Sequence, residues 1–570
     1  MASKTDHVHP APVLILGAGI NGCAVARDLA LNGVPVWIVD TNDISFGATS
    51  RSSRLIHGGL RYLEYGEFGL VRESLAERKL LLDLAPQFVR PLRLFIPVSR
   101  RIGGLWFSVL KYLSGTRVPL LNRLSSYVQP QGNRGLWLVR LGLWLYDLFA
   151  RDPELAGSSV QAVTDTDVPA VNRRNYRWLA AYTDAQMQYP ERFTLAMLED
   201  ARVLANTSHA ELKVFTHSTA QADKNGWRIT TSDGASCEVV PSAVINATGA
   251  WGDLTLDDVH IEHARLLGGT RGSHFLTANI SLREALGDAG VYAETDDGRL
   301  VFILPFNDNV LVGTTDVRFT ERPDQAIATD DELDYLIDLV NDVMPETPLC
   351  RADVSMHYSG VRPLPYRPDG RTAAISRDHS ICHHRECLIP TFTLVGGKLT
   401  TCRAFAEMVA DRLFDTLGQQ RSRSSVDLVF AGGHDYPAGI EALEARQRKL
   451  ANAYQLPLEQ VRRVWELLGT RTEDVLRGAH GQNLQEVEGT GLPLTFVYWA
   501  IDHEWAQTLD DLVDRRLMLV YRNCLTETCL RQLADCLVDR GFLEQSLVDA
   551  TVNATIQRLA RFHGKLTVRT

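Results

Sequence analysis

Three glycines and one acid carry the clearest chemical signal in the chain. Gly17, Gly19 and Gly22 lie in Gly17-Ala18-Gly19-Ile20-Asn21-Gly22, and Asp40 stands eighteen residues after the last of them. A glycine-rich turn opening a helix offers free backbone N–H groups and the positive end of the helix dipole, which together favour a diphosphate. Gly17 permits the tight turn, Gly19 lets a diphosphate approach the backbone, and Gly22 lets helix and strand pack closely. Asp40 can accept a hydrogen bond from a ribose 2′-hydroxyl. The chemistry these spacings predict is dinucleotide binding.

The elements that must position these residues surround them. Val13-Leu14-Ile15-Leu16 reads as a strand, a helical pattern follows the turn, and Val36-Trp37-Ile38-Val39 reads as a second strand ending at Asp40, a βαβ crossover. An ordinary turn between strand and helix does not explain three glycines and a terminal acid in register. Residues 47–54 are small and hydroxyl-rich and suit a loop along a cofactor. A helix is predicted over 68–84. Strands are predicted at 213–220 and 226–231 about a hairpin turn, and at 243–249, where a buried run ends in Ala247-Thr248-Gly249. Residues 264–320 read as further strands and 330–344 as a helix, and another helix runs to about Leu417. A serine-rich linker is expected at 419–426, followed by helices at 441–450, 458–468 and 509–521.

Length and composition exclude several classes. At 570 residues the chain exceeds a single core, and two or three domains are expected. A net charge of −10 argues against nucleic acid as partner. No apolar run is long enough to cross a bilayer and no signal-peptide pattern opens the chain, which predicts a cytoplasmic location. Nine cysteines without a C-x-x-C pair predict neither a disulfide framework nor a metal site, and Cys382 to Cys387 reads as a surface turn. Only eight of the 59 basic residues are lysines, so Lys398 in its glycine-rich segment stands out.

Residues 101–151 depart from this acidic background. They hold Arg101, Lys111, Arg117, Arg123, Arg134, Arg140 and Arg151 against one acid, Asp147, with aromatic residues interleaved. The pattern fits peripheral contact with an anionic membrane surface, and equally a helical subdomain whose apolar face is core.

Nine collinear segments resemble the FAD-dependent, quinone-linked glycerol-3-phosphate dehydrogenase family. They are Gly17-Ala-Gly-Ile-Asn-Gly22, the run from Ala48 to Glu64, Asn246-Ala-Thr-Gly-Ala-Trp251, Gly272-Ser-His274, Gly313-Thr-Thr-Asp316, Tyr358-Ser-Gly-Val-Arg-Pro-Leu364, Ile375-Ser-Arg-Asp378, Gly396-Gly-Lys-Leu-Thr-Thr401 and Asp502-His-Glu-Trp505. The resemblance implies an α/β plus α fold with a discontinuous Rossmann-like FAD domain of the amino-acid-oxidase type (residues 1–98, 176–263 and 355–418). It further implies an antiparallel-sheet substrate domain (99–175 and 264–354, with the basic, aromatic insertion 101–151) and a C-terminal helical domain (427–570). Region 99–135 is longer than in typical bacterial members. His503 and Glu504 read as a solvated helix start, not as metal ligands.

The same resemblance implies oxidation of sn-glycerol 3-phosphate to dihydroxyacetone phosphate with quinone as electron acceptor. Alternatives are an oxygen-using oxidase, a dehydrogenase of another polyol phosphate, and a flavin-binding regulatory homologue without activity. Arg61, Arg362, Arg377 and Lys398, with Tyr62, are the phosphate clamp it implies, since cations and above all the planar guanidinium suit phosphate. Tyr62 is equally a core tyrosine. His274 is the first choice as proton acceptor, and His57 is either the second or a buried histidine packed against flavin. Lys398 or Arg362 could instead stabilise a developing alkoxide. FAD is expected to bind non-covalently along Gly17, Gly19, Gly22, Asp40, Thr49, Ser50, His57, Thr248, Gly249, Gly397, Leu399 and Thr400. A homodimer is a further expectation.

Overall fold

The computed structural model describes residues 10–64, 66–101, 135–223, 226–294, 300–368, 372, 375–477 and 485–567, without the side chains of Arg61, Glu64 and Leu300. The first strand, β1 (Val13–Leu16), leads through the glycine turn into α1 (Ile20–Leu31) and on to β2 (Val36–Val39). β1 pairs in parallel with β2 on one side and with Ala243–Asn246 on the other. Leu212–Phe215 and Thr391–Val395 extend the parallel sheet, and Ser380–His384 closes it as an antiparallel edge. Every residue of β1 and β2 is buried, which is why they read as unbroken apolar runs. Alternate side chains nonetheless part company. Val13, Ile15, Val36 and Ile38 face α1 and the helices Pro190–Ser208 and Cys402–Leu417, whereas Leu14, Leu16, Trp37 and Val39 meet Trp227, Ile229 and Val239 of a small three-stranded sheet.

A second, ten-stranded sheet lies beside the first. Near one edge of it Thr270–Thr277 pairs antiparallel with Val354–Arg362 and with Asn309–Gly313, a register that sets His274 opposite both Tyr358 and Gly313. Helix Asp330–Val343 covers one face. Helices of the C-terminal domain, among them Leu458–Leu468, Leu494–His503 and Glu527–Asp539, share the core on the other.

Several expectations are corrected here. Strands Leu55–Ile56, Val89–Val98, Trp178–Met187 and all but the first residue of Val354–Arg362 fall in segments expected in the FAD domain, yet they pair into the second sheet. Strand pairing is set by partners distant in sequence, and local composition carries no mark of it. Only Thr219–Asp223 and Gly226–Thr230 form the hairpin, because Leu212–Phe215 is an edge strand of the first sheet. The helix expected over 509–521 is broken into a short α-turn, a π-turn and a 3-10 turn. The expected linker 419–426 is tied down, with Asn32 Oδ1 accepting from the backbone of Ser422 and Arg423. Glu504 follows the end of its helix and makes a buried ion pair with Arg192 at 2.6 Å, so it is no solvated helix start.

Buried ion pairs fasten the C-terminal domain to the rest. Arg515 and Arg516 share the carboxylate of Asp43, at 2.7 Å from Arg516 Nη2 to Oδ1. Arg54 and Glu191, both fully buried, pair at 2.7 Å, and Tyr521 donates to Glu191 at 3.1 Å. At the margin of this network His217 Nε2 lies 2.9 Å from Asp511. Burial opposes charge on both, yet Asp511 raises the imidazole, and His217, Arg515 and Arg516 hold Asp511 below the usual carboxylate range. The imidazole's contribution to stability is therefore complete below the ordinary histidine value of about 6.5 and is lost as pH rises through its raised folded value. The carboxylate's contribution is complete above about 3.9 and is lost as pH falls through its depressed value. His217→Asn should cost about 2 kcal/mol at pH 6, with the gap to the parent narrowing by about pH 9; thermal melts at both pH values check this.

Candidate active site

The glycine turn is as crowded as its spacing suggests. Gly17 has φ +100°, and a Cβ there would stand 2.8 Å from the carbonyl oxygen of Ala247; one on Gly22 would fall 2.0 Å from the oxygen of Gly17. Gly19 keeps its surroundings open, with only Thr49 Oγ1 at 3.5 Å. The N–H of Ile20, at the mouth of α1, donates to Thr49 Oγ1 at 3.0 Å. Asp40 accepts from the N–H groups of Ala18 (2.7 Å) and Asn42 (2.9 Å), which fixes the carboxylate at the end of β2.

From this turn a cleft of about 940 Å³ runs to the second sheet. Gly17, Gly19, Asp40, Thr49, Thr248 and Gly249 line it, as do His57, Tyr62, His274, Arg362, Arg377, Gly397, Lys398, Leu399 and Thr400. Gly22 stands behind the wall in its packing role. Ser50, expected along the cofactor, turns its hydroxyl to the carbonyl of Gly47 at 3.2 Å and shapes the loop instead. The backbone of Arg61 sits in the short helix Leu60–Glu64, but its side chain lies outside the described residues.

Cations gather at the far end. Arg362 donates from Nη1 to Asp316 at 3.1 Å and from Nη2 to Thr314 Oγ1 at 2.9 Å. Arg377 approaches the other oxygen of Asp316 at 4.0 Å, so one carboxylate stands between the two guanidinium groups. Burial alone would raise Asp316, but Arg362 and Arg377 hold it below the usual range. Burial, then Arg377, push Arg362 down to about 10. Lys398 Nζ donates to Ser74 Oγ at 2.6 Å and lies 4.7 Å from the centre of the Tyr62 ring. Burial brings it down to about 8, with Glu73 opposing and Arg377 assisting.

Both histidines are uncharged in this field. Burial, Lys398 and Arg377 press His57 down to about 3. Thr400 pins its backbone, accepting from the His57 N–H at 3.1 Å, and its ring meets Phe302 edge-on. Burial, Arg362 and Arg54 hold His274 well below the usual imidazole range. His274 stacks on Tyr358 with ring centres 4.9 Å apart, and Gly313 is required opposite, since a Cβ there would lie 2.1 Å from His274 Cδ2. Its Nε2 is 2.9 Å from Ser53 Oγ, while Nδ1 is sealed inside without a hydrogen-bond partner among the described residues. Ser53, Thr314 and Asp316 were not singled out from sequence. Their motifs were visible, but only the fold shows which side chains they hold.

The cradle at Gly17 and Gly19, the helix mouth and the length of the cleft fit a flavin dinucleotide. Residues 12–412 match a sequence family described as FAD dependent oxidoreductase. The chain belongs to this family. A glycerol-3-phosphate dehydrogenase of Synechocystis is 32% identical over 88% of this chain and 88% of its own length. A D-erythritol 1-phosphate dehydrogenase of Brucella abortus is 31% identical over 88% of this chain and 93% of its own. The solved glycerol-3-phosphate dehydrogenase of Bacillus halodurans, a complex with FAD, superposes with a TM-score of 0.68 at 20% identity, covering 97% of this chain and 95% of that one. These findings bear out the resemblance read from the motifs, the fold class and FAD as cofactor.

In this flavoprotein Gly22→Ala should be costly, because the clash is with backbone and overpacking alone destabilises by about 1–3 kcal/mol. A lower melting temperature and a reduced content of bound FAD are expected, read by calorimetry and by the flavin absorbance per mole of protein.

Proposed function

We propose that the protein oxidises sn-glycerol 3-phosphate at C2 to dihydroxyacetone phosphate and that its electrons pass on to a quinone. The observation that carries this reading is the gathering of Arg362, Arg377, Lys398 and Tyr62 with an uncharged His274 along one end of the cofactor cleft. Guanidinium and ammonium groups suit a phosphate dianion, and Arg61, whose backbone adjoins Tyr62, joins them in the proposed clamp. FAD, when bound, supplies the acceptor for the hydride that leaves C2. The chain supplies the rest. The arginines and Lys398 bind and orient the phosphate, and Tyr292 and Phe302, stacked with centres 4.2 Å apart, wall the cleft beside His57. His274 Nε2, on the Ser53 side, takes the hydroxyl proton, and burial together with the charge of Arg362 disfavours the resulting imidazolium, so the imidazole gives the proton up to water once the product has left.

A second reading, oxidation of a longer polyol phosphate, is favoured by the Brucella abortus relative, which is nearly as similar as the one from Synechocystis. It uses the same clamp and the same proton acceptor, and differs in how much polyol the cleft admits beyond C2.

Anaerobic addition of glycerol 3-phosphate should bleach the flavin band, and a quinone analogue should restore it. Bleaching by D-erythritol 1-phosphate alone would favour the second reading; turnover confined to air with stoichiometric peroxide would reject quinone; an unchanged spectrum with both substrates would leave an inactive homologue. Arg362→Ala should raise KM about tenfold or more, the loss of one charge-assisted hydrogen bond of about 1.5–3 kcal/mol, while FAD stays bound.

The proposal includes a peripheral position at an anionic membrane. No helix among the described residues is long and apolar enough to cross one. Helix Leu136–Ala150 buries Leu136, Val139, Leu143 and Tyr146 and turns Trp137, Leu141, Trp144 and Leu148 outward, the two tryptophans 55% and 59% exposed, with Arg140 among them. An outward apolar stripe with interfacial tryptophans and a cation supports membrane contact. Of the basic residues noted in sequence, Lys111, Arg117, Arg123 and Arg134 lie outside the described residues. Replacing Trp137 and Trp144 by serine should reduce pelleting with anionic vesicles severalfold, since each tryptophan loses its apolar burial; equal pelleting of both forms would remove this part of the proposal.

A further inference from the structure

Arg51 stands out among the arginines around the cleft. Its neighbours all have carboxylates: Arg54 pairs with Glu191 at 2.7 Å, Arg362 with Asp316 at 3.1 Å, Arg558 with Asp514 at 2.8 Å, and Arg515 with Asp43. Arg51 lines the cleft and is half-buried, yet among the described residues no ion pair or hydrogen bond holds its guanidinium; that group lies over the Phe46 ring, 4.9 Å from its centre. Burial and the nearby Arg515 push it down to about 10, and Tyr521 and Asp514, which act in the opposite sense without touching it, do not make up the difference. Nor is the residue loosely placed. Its N–H donates to Ala48 at 3.2 Å, and Gly360 packs so closely that a Cβ there would lie 2.7 Å from Arg51 Cβ.

Position in the loop narrows the anion it serves. Two residues earlier, Thr49 meets the mouth of α1, the diphosphate end of the cleft; two residues later, Ser53 meets His274, the alcohol-oxidising end. The diphosphate has the glycine turn and the helix mouth, and the substrate phosphate has Arg362, Arg377 and Lys398. The remaining anion is the isoalloxazine itself, which acquires one negative charge when it takes up two electrons and one proton. We propose that Arg51 is the counter-cation for the reduced, anionic isoalloxazine of the bound FAD.

The test uses FAD-loaded protein carrying R51Q and R51K, with folding checked by circular dichroism. R51M, which keeps the stem against Phe46, replaces R51Q if the latter does not fold. The readouts are the two-electron midpoint potential, from anaerobic equilibration with a reference dye, and the dissociation constant of FAD. R51Q should leave FAD affinity within about threefold and disfavour the reduced form about tenfold, a potential about 30 mV more negative at 29.6 mV per decade. R51K should recover at least half of the shift. A parent-like potential in R51Q would overturn the proposal. So would loss of FAD with an unchanged potential in the protein still loaded, which would put the guanidinium on the diphosphate.

Discussion

The pair between Arg54 and Glu191 is the constraint on which the rest of the architecture depends. Two parallel hydrogen bonds of 2.7 and 3.0 Å join side chains with no exposure at all. Arg54 also donates to the carbonyls of Ser50 (3.1 Å) and Gln188 (2.6 Å), and the ring of Tyr521 lies 4.3 Å from its guanidinium carbon. Glu191 sits in the first turn of Pro190–Ser208, where the helix dipole favours a carboxylate. Both charges pay a desolvation cost comparable to their attraction, so the pair contributes little net stability; removing one partner, however, would strand the other at about 3–5 kcal/mol. Its effect is geometric. The pair joins the cofactor loop to helix Pro190–Ser208, with Tyr521 of the C-terminal domain against both partners, and the same loop holds Ser53 against His274.

Charge is distributed with comparable economy along the cleft. The end that would receive a phosphate carries arginines and a lysine, and burial, reinforced by the same field that attracts a dianion, holds His57 and His274 below the usual imidazole range. Asp316 tempers the field locally. Placed between Arg362 and Arg377, it prevents two guanidinium groups from repelling each other out of position, at the cost of one unit of attraction for substrate. A clamp of bare cations would bind more strongly and be less well defined in shape.

Much of this was legible in the sequence where a residue's role is local. The glycine turn and Asp40 could be assigned because sterics and helix-end chemistry act within one crossover. Helices Phe68–Leu84 and Leu458–Leu468 follow their apolar periodicity to the residue. Roles set by distant partners were hidden. Nothing near Val89–Val98 tells that it pairs with Trp178–Met187 and not with the first sheet. The segment 509–521 answers to distant partners, since Asp511 pairs with His217, and Arg515 and Arg516 pair with Asp43. Glu504 was misplaced although Pro493, at the N-cap of its helix, marks where that helix begins. Arg377 was found through its motif, whereas the carboxylate it shares with Arg362 needed the fold.

Tyr521 bears on the life of the chain as well as on its packing. Its hydroxyl, which donates to Glu191, also stands 3.2 Å from the carbonyl oxygen of Ser50, so a wall built early in the sequence is completed from a point 471 residues further on. The chain must therefore be synthesised as far as Tyr521 before that loop has its final support. A chain cut short ahead of Tyr521 would leave the loop that carries Thr49 and Ser53 without this brace.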